Sequence, residues 1–205
     1  MKNTIYKLLQ PRFSVVAVVI SLLVPGVVLA HDGASLPYGS FLGGLTHPVL
    51  GLDHFLAMVS VGVVSAQIGG RAIWTVPVTF VGVMFFGGLL GWLYVGFSGV
   101  EVGIALSLLA LGCAIAADRN LPISLVMTAV GFFAIFHGYA HGAEMPSVAN
   151  PYTYAAGFMT GTAVLHIFGL VLGDIARHYQ QGKLLLRLGG GGIAVVGTAF
   201  LAGMA

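Results

Sequence analysis

The stretch IWTVPVTFVGVMFFGGLLGWLYVG, residues 73–96, contains no Asp, Glu, Lys, Arg or His. About 20 consecutive apolar residues are enough for a helix to cross the hydrocarbon core of a bilayer, which is ~30 Å thick. Because backbone groups in lipid must be paired within their own segment, a long continuous run of this kind predicts a helix and not a strand. The stretch therefore predicts an all-α membrane protein.

The composition of the 205 residues supports the same class. The chain is 58% hydrophobic and only 7% charged, and its mean hydropathy is +1.01. A water-soluble domain carries about 25% Asp, Glu, Lys and Arg, because its surface must be solvated. So few charges exclude a soluble enzyme and a disordered chain, and the lack of a basic stripe excludes a nucleic-acid partner. The single cysteine, Cys113, excludes a disulfide framework and a cysteine-rich zinc site.

The N-terminus has the three-part order of a secretory signal peptide over residues 1–30. Basic residues precede the apolar run 13–24, and a small-residue ending at Ala30 follows it. The apolar run is shorter than the about 20 residues that a membrane span needs. We therefore predict cleavage after Ala30, with an uncleaved anchor as the alternative, and a mature transmembrane domain over residues 31–205 that begins at His31.

Beyond the signal peptide, the sequence predicts six transmembrane helices separated by charged or glycine- and proline-rich breaks. The basic residues test the orientation, because Lys and Arg favour cytoplasmic loops. With His31 outside, every Lys and Arg of the mature chain falls inside, so both ends are predicted on the periplasmic side of a bacterial inner membrane. The predicted helices cover about residues 40–68, 73–96, 99–117, 121–141, 152–173 and 184–203.

The first predicted helix, 40–68, carries the motif His47-x5-Asp53-His54. An ionisable side chain at membrane depth is costly unless it is paired or hydrated, so it indicates a functional site. In a continuous helix, His47 and His54 share one face about 10 Å apart along the axis, although Pro48 can open the helix there. Asp53 would bind a cation itself or orient the adjacent ring. A hydrogen-bonded histidine pair without a ligand is the alternative.

A second motif, Phe136-His-Gly-x-Ala-His-Gly-x-Glu144, lies near the outer end of the predicted helix 121–141. His137, His141 and Glu144 are spaced i, i+4, i+7 and line one helix face. This spacing suits a divalent metal ion bound by nitrogen and oxygen. An interfacial polar cluster without metal is the alternative.

Two single groups belong with these motifs by position. Glu101 opens the predicted helix 99–117 at the outer surface, and His166 lies in the middle of 152–173. Alone, Glu101 fits a solvated charge favoured at a helix N-terminus, and His166 fits a hydrogen-bonded core histidine. With the mature N-terminal His31, they extend a polar path from the outer face toward the midplane.

These motifs resemble those of the HupE/UreJ family of bacterial nickel permeases. The resemblance extends through Glu101-Val-Gly-Ile-Ala-Leu-Ser107 and Leu165-His166, and it covers nearly all of residues 31–205. It implies a secondary transporter, not an enzyme, that imports Ni²⁺ or Co²⁺ and is associated with hydrogenase or urease maturation. It also implies which side chains carry the metal: His47, Asp53, His54, His137, His141 and Glu144.

The residue types agree with such a mechanism. Imidazole and carboxylate suit borderline divalent ions such as Ni²⁺, Co²⁺ and Zn²⁺, and the chain has no phosphate-binding loop of an ATPase. Transport would be passive or ion-coupled through weak sequential sites, because a tight closed cage would trap the ion. The metal is then a transported substrate with no permanently bound cofactor, and the lipid bilayer is the other partner. The choice of metal and the oligomeric state, a homo-oligomer included, stay open.

Two other classes stay open on the sequence. An intramembrane metal-dependent hydrolase would use three histidines as ligands and a carboxylate to activate metal-bound water. It predicts a closed and tightly held metal. A haem-binding electron carrier would use histidines as axial ligands, but it leaves the carboxylates unexplained.

Overall fold

The computed structural model of the protein describes Leu36 and residues 38–203. Within these residues the chain forms seven α-helices and no strand. The predicted signal peptide and His31 lie outside the described residues. The helices are α1 (Gly39–Leu50), α2 (Leu52–Ile68), α3 (Ala72–Trp92), α4 (Val100–Ala117), α5 (Ile123–Ala143), α6 (Pro151–Arg177) and α7 (Gln180–Leu201).

The last five helices, α3 to α7, are each long and apolar enough to cross a membrane. Each agrees with one predicted span to within a few residues. The predicted end near Gly96 is too late, because α3 stops at Trp92 and Tyr94 takes a left-handed backbone conformation with φ 51°. At the start of α6, the Asn150 side chain accepts a hydrogen bond from the backbone N–H of Thr153. The chain is a multi-pass helical membrane protein, as predicted.

The predicted continuous helix over 40–68 is wrong, because this stretch forms two helices bent by 83°. The break lies at Gly51, whose backbone is extended with φ −83° and ψ 119°. Pro48, inside the last turn of α1, lacks the N–H that would donate to the preceding turn, so this part of the helix is already weakened. Together α1 and α2 pass the length and hydropathy test for one broken span, which gives up to six spans in the described chain.

The main helix contacts join α3 with α5, α4 with α7, and α6 with both α1 and α2. Close glycine contacts lie at these crossings. Gly138 of α5 lies against the backbone of Met84 and Gly88 in α3, and Gly62 of α2 lies against the backbone of His166 in α6. No hydrophobic drive joins helices in lipid, so small residues that let backbones approach carry the packing. These crossings fix the backbones of the helices that carry the motif histidines.

Candidate metal site

The bend at Gly51 brings the two sequence motifs together. His47 in the last turn of α1 and His54 in the first turn of α2 have ring centroids 6.3 Å apart. On α5, the His141 ring lies 5.0 Å from that of His47 and 4.7 Å from that of His54. The His137 ring lies 5.0 Å from that of His54. These four imidazoles are called the histidine cluster below.

Three members of the histidine cluster are buried. His137 and His141 are 0% exposed and His54 is 6% exposed, whereas the side chain of His47 is 27% exposed. Burial of polar groups costs free energy unless they gain partners. The cluster therefore has a buried interior and one edge, at His47, that is open.

Both predicted carboxylates contact the cluster. Asp53 Oδ1 accepts hydrogen bonds from the backbone N–H and from Nδ1–H of His54, at 2.8 and 3.0 Å. Glu144 Oε2 lies 3.2 Å from Nε2 of His47, and the Glu144 side chain is half exposed. Asp53 therefore orients a buried ring, while Glu144 stands at the open edge.

The buried rings keep nitrogen atoms free. Within the described part of the chain, His54 Nε2, His137 Nδ1 and both ring nitrogens of His141 have no hydrogen-bond partner. Buried polar atoms are nearly always paired, so several free nitrogens in one place indicate a binding site. A nitrogen lone pair binds a cation or a donor hydrogen, which makes a metal ion the ligand to consider first.

The free nitrogens do not yet point at one position. Among residues 38–203, no group of three or more His, Cys, Asp or Glu side chains is arranged to hold a metal ion. The ring centroids of neighbouring members nevertheless lie only 4.7–6.3 Å apart.

Two of the predicted residues lie outside the cluster. Glu101 is exposed in the first turn of α4 and forms no ion pair within the described chain. His166 is buried in α6, where its Nδ1 donates to the carbonyl oxygen of Met58 at 2.8 Å. Phe80 stands between His166 and the cluster, with ring centroids 5.1 Å from His166 and 5.6 Å from His137. His166 is therefore a separate, deeper group.

Three residues around the cluster were not predicted as part of it. Ser107 Oγ lies 2.9 Å from Nε2 of His137, and the Phe158 ring stacks on His141 with centroids 4.9 Å apart. The Tyr154 ring centroid lies 6.1 Å from that of His47. Ser107 could have been noticed in the sequence, because it is a hydroxyl within a highly apolar helix. The two aromatic residues could not, because the chain is 11% aromatic.

The fold and the site together define a multi-pass membrane protein with a buried histidine cluster between its helices. The family described as HupE / UreJ protein matches residues 18–200, and the chain belongs to this family. It is 40% identical to Protein HupE of Rhizobium leguminosarum bv. viciae over 183 aligned residues. These residues make up 89% of this chain and 94% of that relative. No solved structure matches the chain significantly.

Proposed function

We propose that this protein is a secondary transporter, not an enzyme, that imports Ni²⁺ or Co²⁺ across a bacterial inner membrane for hydrogenase or urease metallocentre assembly. The observation that carries the proposal is the histidine cluster, with its free ring nitrogens and two carboxylates, inside a multi-pass helical protein. The HupE / UreJ membership supports the same reading.

The donor atoms suit the proposed substrate. Imidazole nitrogen and carboxylate oxygen bind borderline divalent ions such as Ni²⁺ and Co²⁺. Asp53 holds the Nδ1–H of His54, so the lone pair of that ring is on Nε2. A metal-binding histidine is commonly oriented by a carboxylate on its other nitrogen in this way. His141 has neither nitrogen engaged within the described residues and can bind through either.

The cluster suits transport better than permanent storage. Within the described chain, its nitrogens are not arranged around one point, so few of them hold the ion at a time and the ion can be released. Conduction requires binding that is favourable enough to admit the ion and weak enough to release it. The partly exposed pair of His47 and Glu144 takes the ion from the outside, and the buried rings pass it toward His166. Glu101 and the mature His31 collect ions at the outer surface.

The test is accumulation of radiolabelled nickel in cells that lack their own nickel importers, with unlabelled cobalt as competitor. Cells that make the wild-type protein are expected to accumulate nickel above cells with an empty vector. His178→Ala is the control variant, because the His178 side chain is exposed and its one hydrogen bond within the described residues is to the Asp174 carbonyl oxygen of the adjoining turn. It should transport normally. A well-expressed wild-type protein that accumulates neither metal would overturn the proposal, and metal retained through dialysis would then favour the hydrolase.

Gly51→Ala is expected to weaken uptake without lowering the amount of protein. A Cβ at Gly51 would lie 2.9 Å from Asp53 Oδ1 and 3.4 Å from His54 Nδ1, so it would displace the carboxylate that orients the ring. Loss of such an outer partner costs about 10- to 100-fold in metal affinity or activity, and we expect about 10-fold for a displacement. Gly82→Ala is the control, since nothing lies within 4 Å of its Cβ. Equal uptake by the two variants would contradict the prediction.

A further inference from the structure

Ser107 is a fully buried hydroxyl in α4 that contacts the histidine cluster. Its Oγ lies 2.6 Å from the backbone carbonyl oxygen of Ile104 and 2.9 Å from Nε2 of His137. This contact is a hydrogen bond between α4 and the cluster.

The two contacts of Ser107 decide where the proton of His137 lies. A hydroxyl has one proton, and a carbonyl oxygen can only accept. The contact with Ile104 therefore uses the serine proton, so Ser107 Oγ accepts a hydrogen bond from Nε2–H of His137. A neutral imidazole carries one N–H, which leaves the lone pair on Nδ1. That atom is buried and has no partner within the described chain.

We propose that Ser107 is a positioning residue, which fixes the tautomer of His137 and makes Nδ1 the atom that binds the transported ion. This inference rests on the proposed function. Two other rings are fixed by the same principle through different acceptors: His54 by the Asp53 carboxylate and His166 by the Met58 carbonyl.

The acceptors differ in charge, and this difference gives the rings different ligand strengths. A carboxylate on the outer nitrogen raises the basicity of a metal-binding imidazole. His54 has such a carboxylate, whereas His137 has a neutral hydroxyl. His137 is therefore the weaker ligand of the two. Weaker binding suits a ring that must release the ion to the next site.

The first test reads the tautomer directly and needs no transport. In ¹⁵N-histidine-labelled full-length protein in detergent micelles, the His137 signals are assigned by their loss in H137Q. Wild type is expected to show one His137 tautomer with Nε2 protonated, and S107A a mixture of the two. S107T keeps a hydroxyl and should keep the wild-type tautomer. A wild-type ring protonated on Nδ1, or an unchanged tautomer in S107A, would overturn the inference.

The second test separates positioning from packing. At matched protein amounts, S107A is expected to weaken the apparent affinity for nickel uptake by about 10- to 100-fold, as outer-partner substitutions do, and S107T to restore it. The double variant S107A/H137Q should behave like H137Q, because both act through one ring. A further loss in the double variant would mean that Ser107 acts by packing, and would overturn the inference.

The two proposals fail in different ways. Wild-type protein without nickel uptake would overturn the proposed function, and with it the transport role of Ser107. Normal uptake by S107A beside a wild-type protein that accumulates nickel would overturn the positioning role alone.

Discussion

We expect His54→Ala to reduce nickel accumulation to the level of cells without the transporter, at unchanged protein amount. His54 is the central ring of the cluster, with centroids 4.7 Å from His141, 5.0 Å from His137 and 6.3 Å from His47. Loss of an outer partner of a metal-binding histidine already costs about 10- to 100-fold. Removal of the ring itself, which links the outer edge to the buried interior, should therefore exceed that loss.

The same substitution leaves Asp53 without its imidazole partner. The carboxylate is only 19% exposed and would keep just the backbone N–H of residue 54 as its partner within the described chain, and the loss of a partner by a partly buried charge is destabilising. His54→Asn is therefore measured beside His54→Ala, since its amide nitrogen takes the place of Nδ1 and can still donate to Asp53, while the imidazole is lost. Both variants should be inactive, with His178→Ala as the active control. Labelled nickel is counted against the protein amount in isolated membranes, and normal uptake by either variant would contradict the relay.

The second large effect is expected at Gly138, one residue after His137. Even the methyl group of alanine there would overlap the backbone carbonyl of Met84 and lie 2.8 Å from the backbone nitrogen of Gly88. Backbone atoms cannot relieve the overlap by a change of rotamer, as a side chain can. The helices α3 and α5 must therefore move apart. Overpacking among side chains costs about 1–3 kcal/mol, and a collision with backbone should reach or exceed the upper value. Gly138→Ala is expected to lose most folded protein and all uptake.

Gly131 provides the matched control, two turns earlier on the same helix. A Cβ there would meet only methyl groups, Thr79 Cγ2 at 3.5 Å and Val83 Cγ2 at 3.8 Å, which is ordinary van der Waals contact. Gly131→Ala should therefore leave the yield of folded protein unchanged. Size-exclusion profiles and melting temperatures of detergent-extracted protein measure both variants. Equal yields and melting temperatures would contradict the packing argument.

The long helices could be predicted because length and hydropathy alone define a span, as in α3. Their ends follow from local signals, such as Asn150 and Pro151 at the start of α6. The break at Gly51 could not be placed in the same way. Leu50 and Leu52 flank it directly, as in the interior of an apolar helix, and a proline such as Pro48 can kink a helix as well as end it. Both halves of the bent pair pack against α6, α1 through close contacts such as Gly44 with the Tyr154 backbone, and this packing cannot be read from the local sequence.

The site was predictable where its residues share one helix. His137 and His141 are four residues apart, so their common face follows from the helical repeat alone. The contacts of Ser107 with His137 and of Phe158 with His141 join different helices. Spacing along one chain carries no information on which helix lies beside which, so these contacts require the structure. Glu101 was grouped with the motifs only because of its predicted position along the chain. In the structure its side chain is exposed.

The bend at Gly51 also gives the site an electrostatic property of its own. α1 has 12 residues and α2 has 17, or about 18 and 26 Å at 1.5 Å per residue. Neither length reaches the ~30 Å of the hydrocarbon core alone, and the two helices pass the test for a span only as a pair. The carbonyl end of α1 and the N–H end of α2 meet at this junction, and they carry roughly half a negative and half a positive charge from the two helix dipoles. The carbonyl end of α1 lies in the same turn as His47 and suits a cation there, whereas the N–H end of α2 lies beside His54 and is offset by the Asp53 carboxylate.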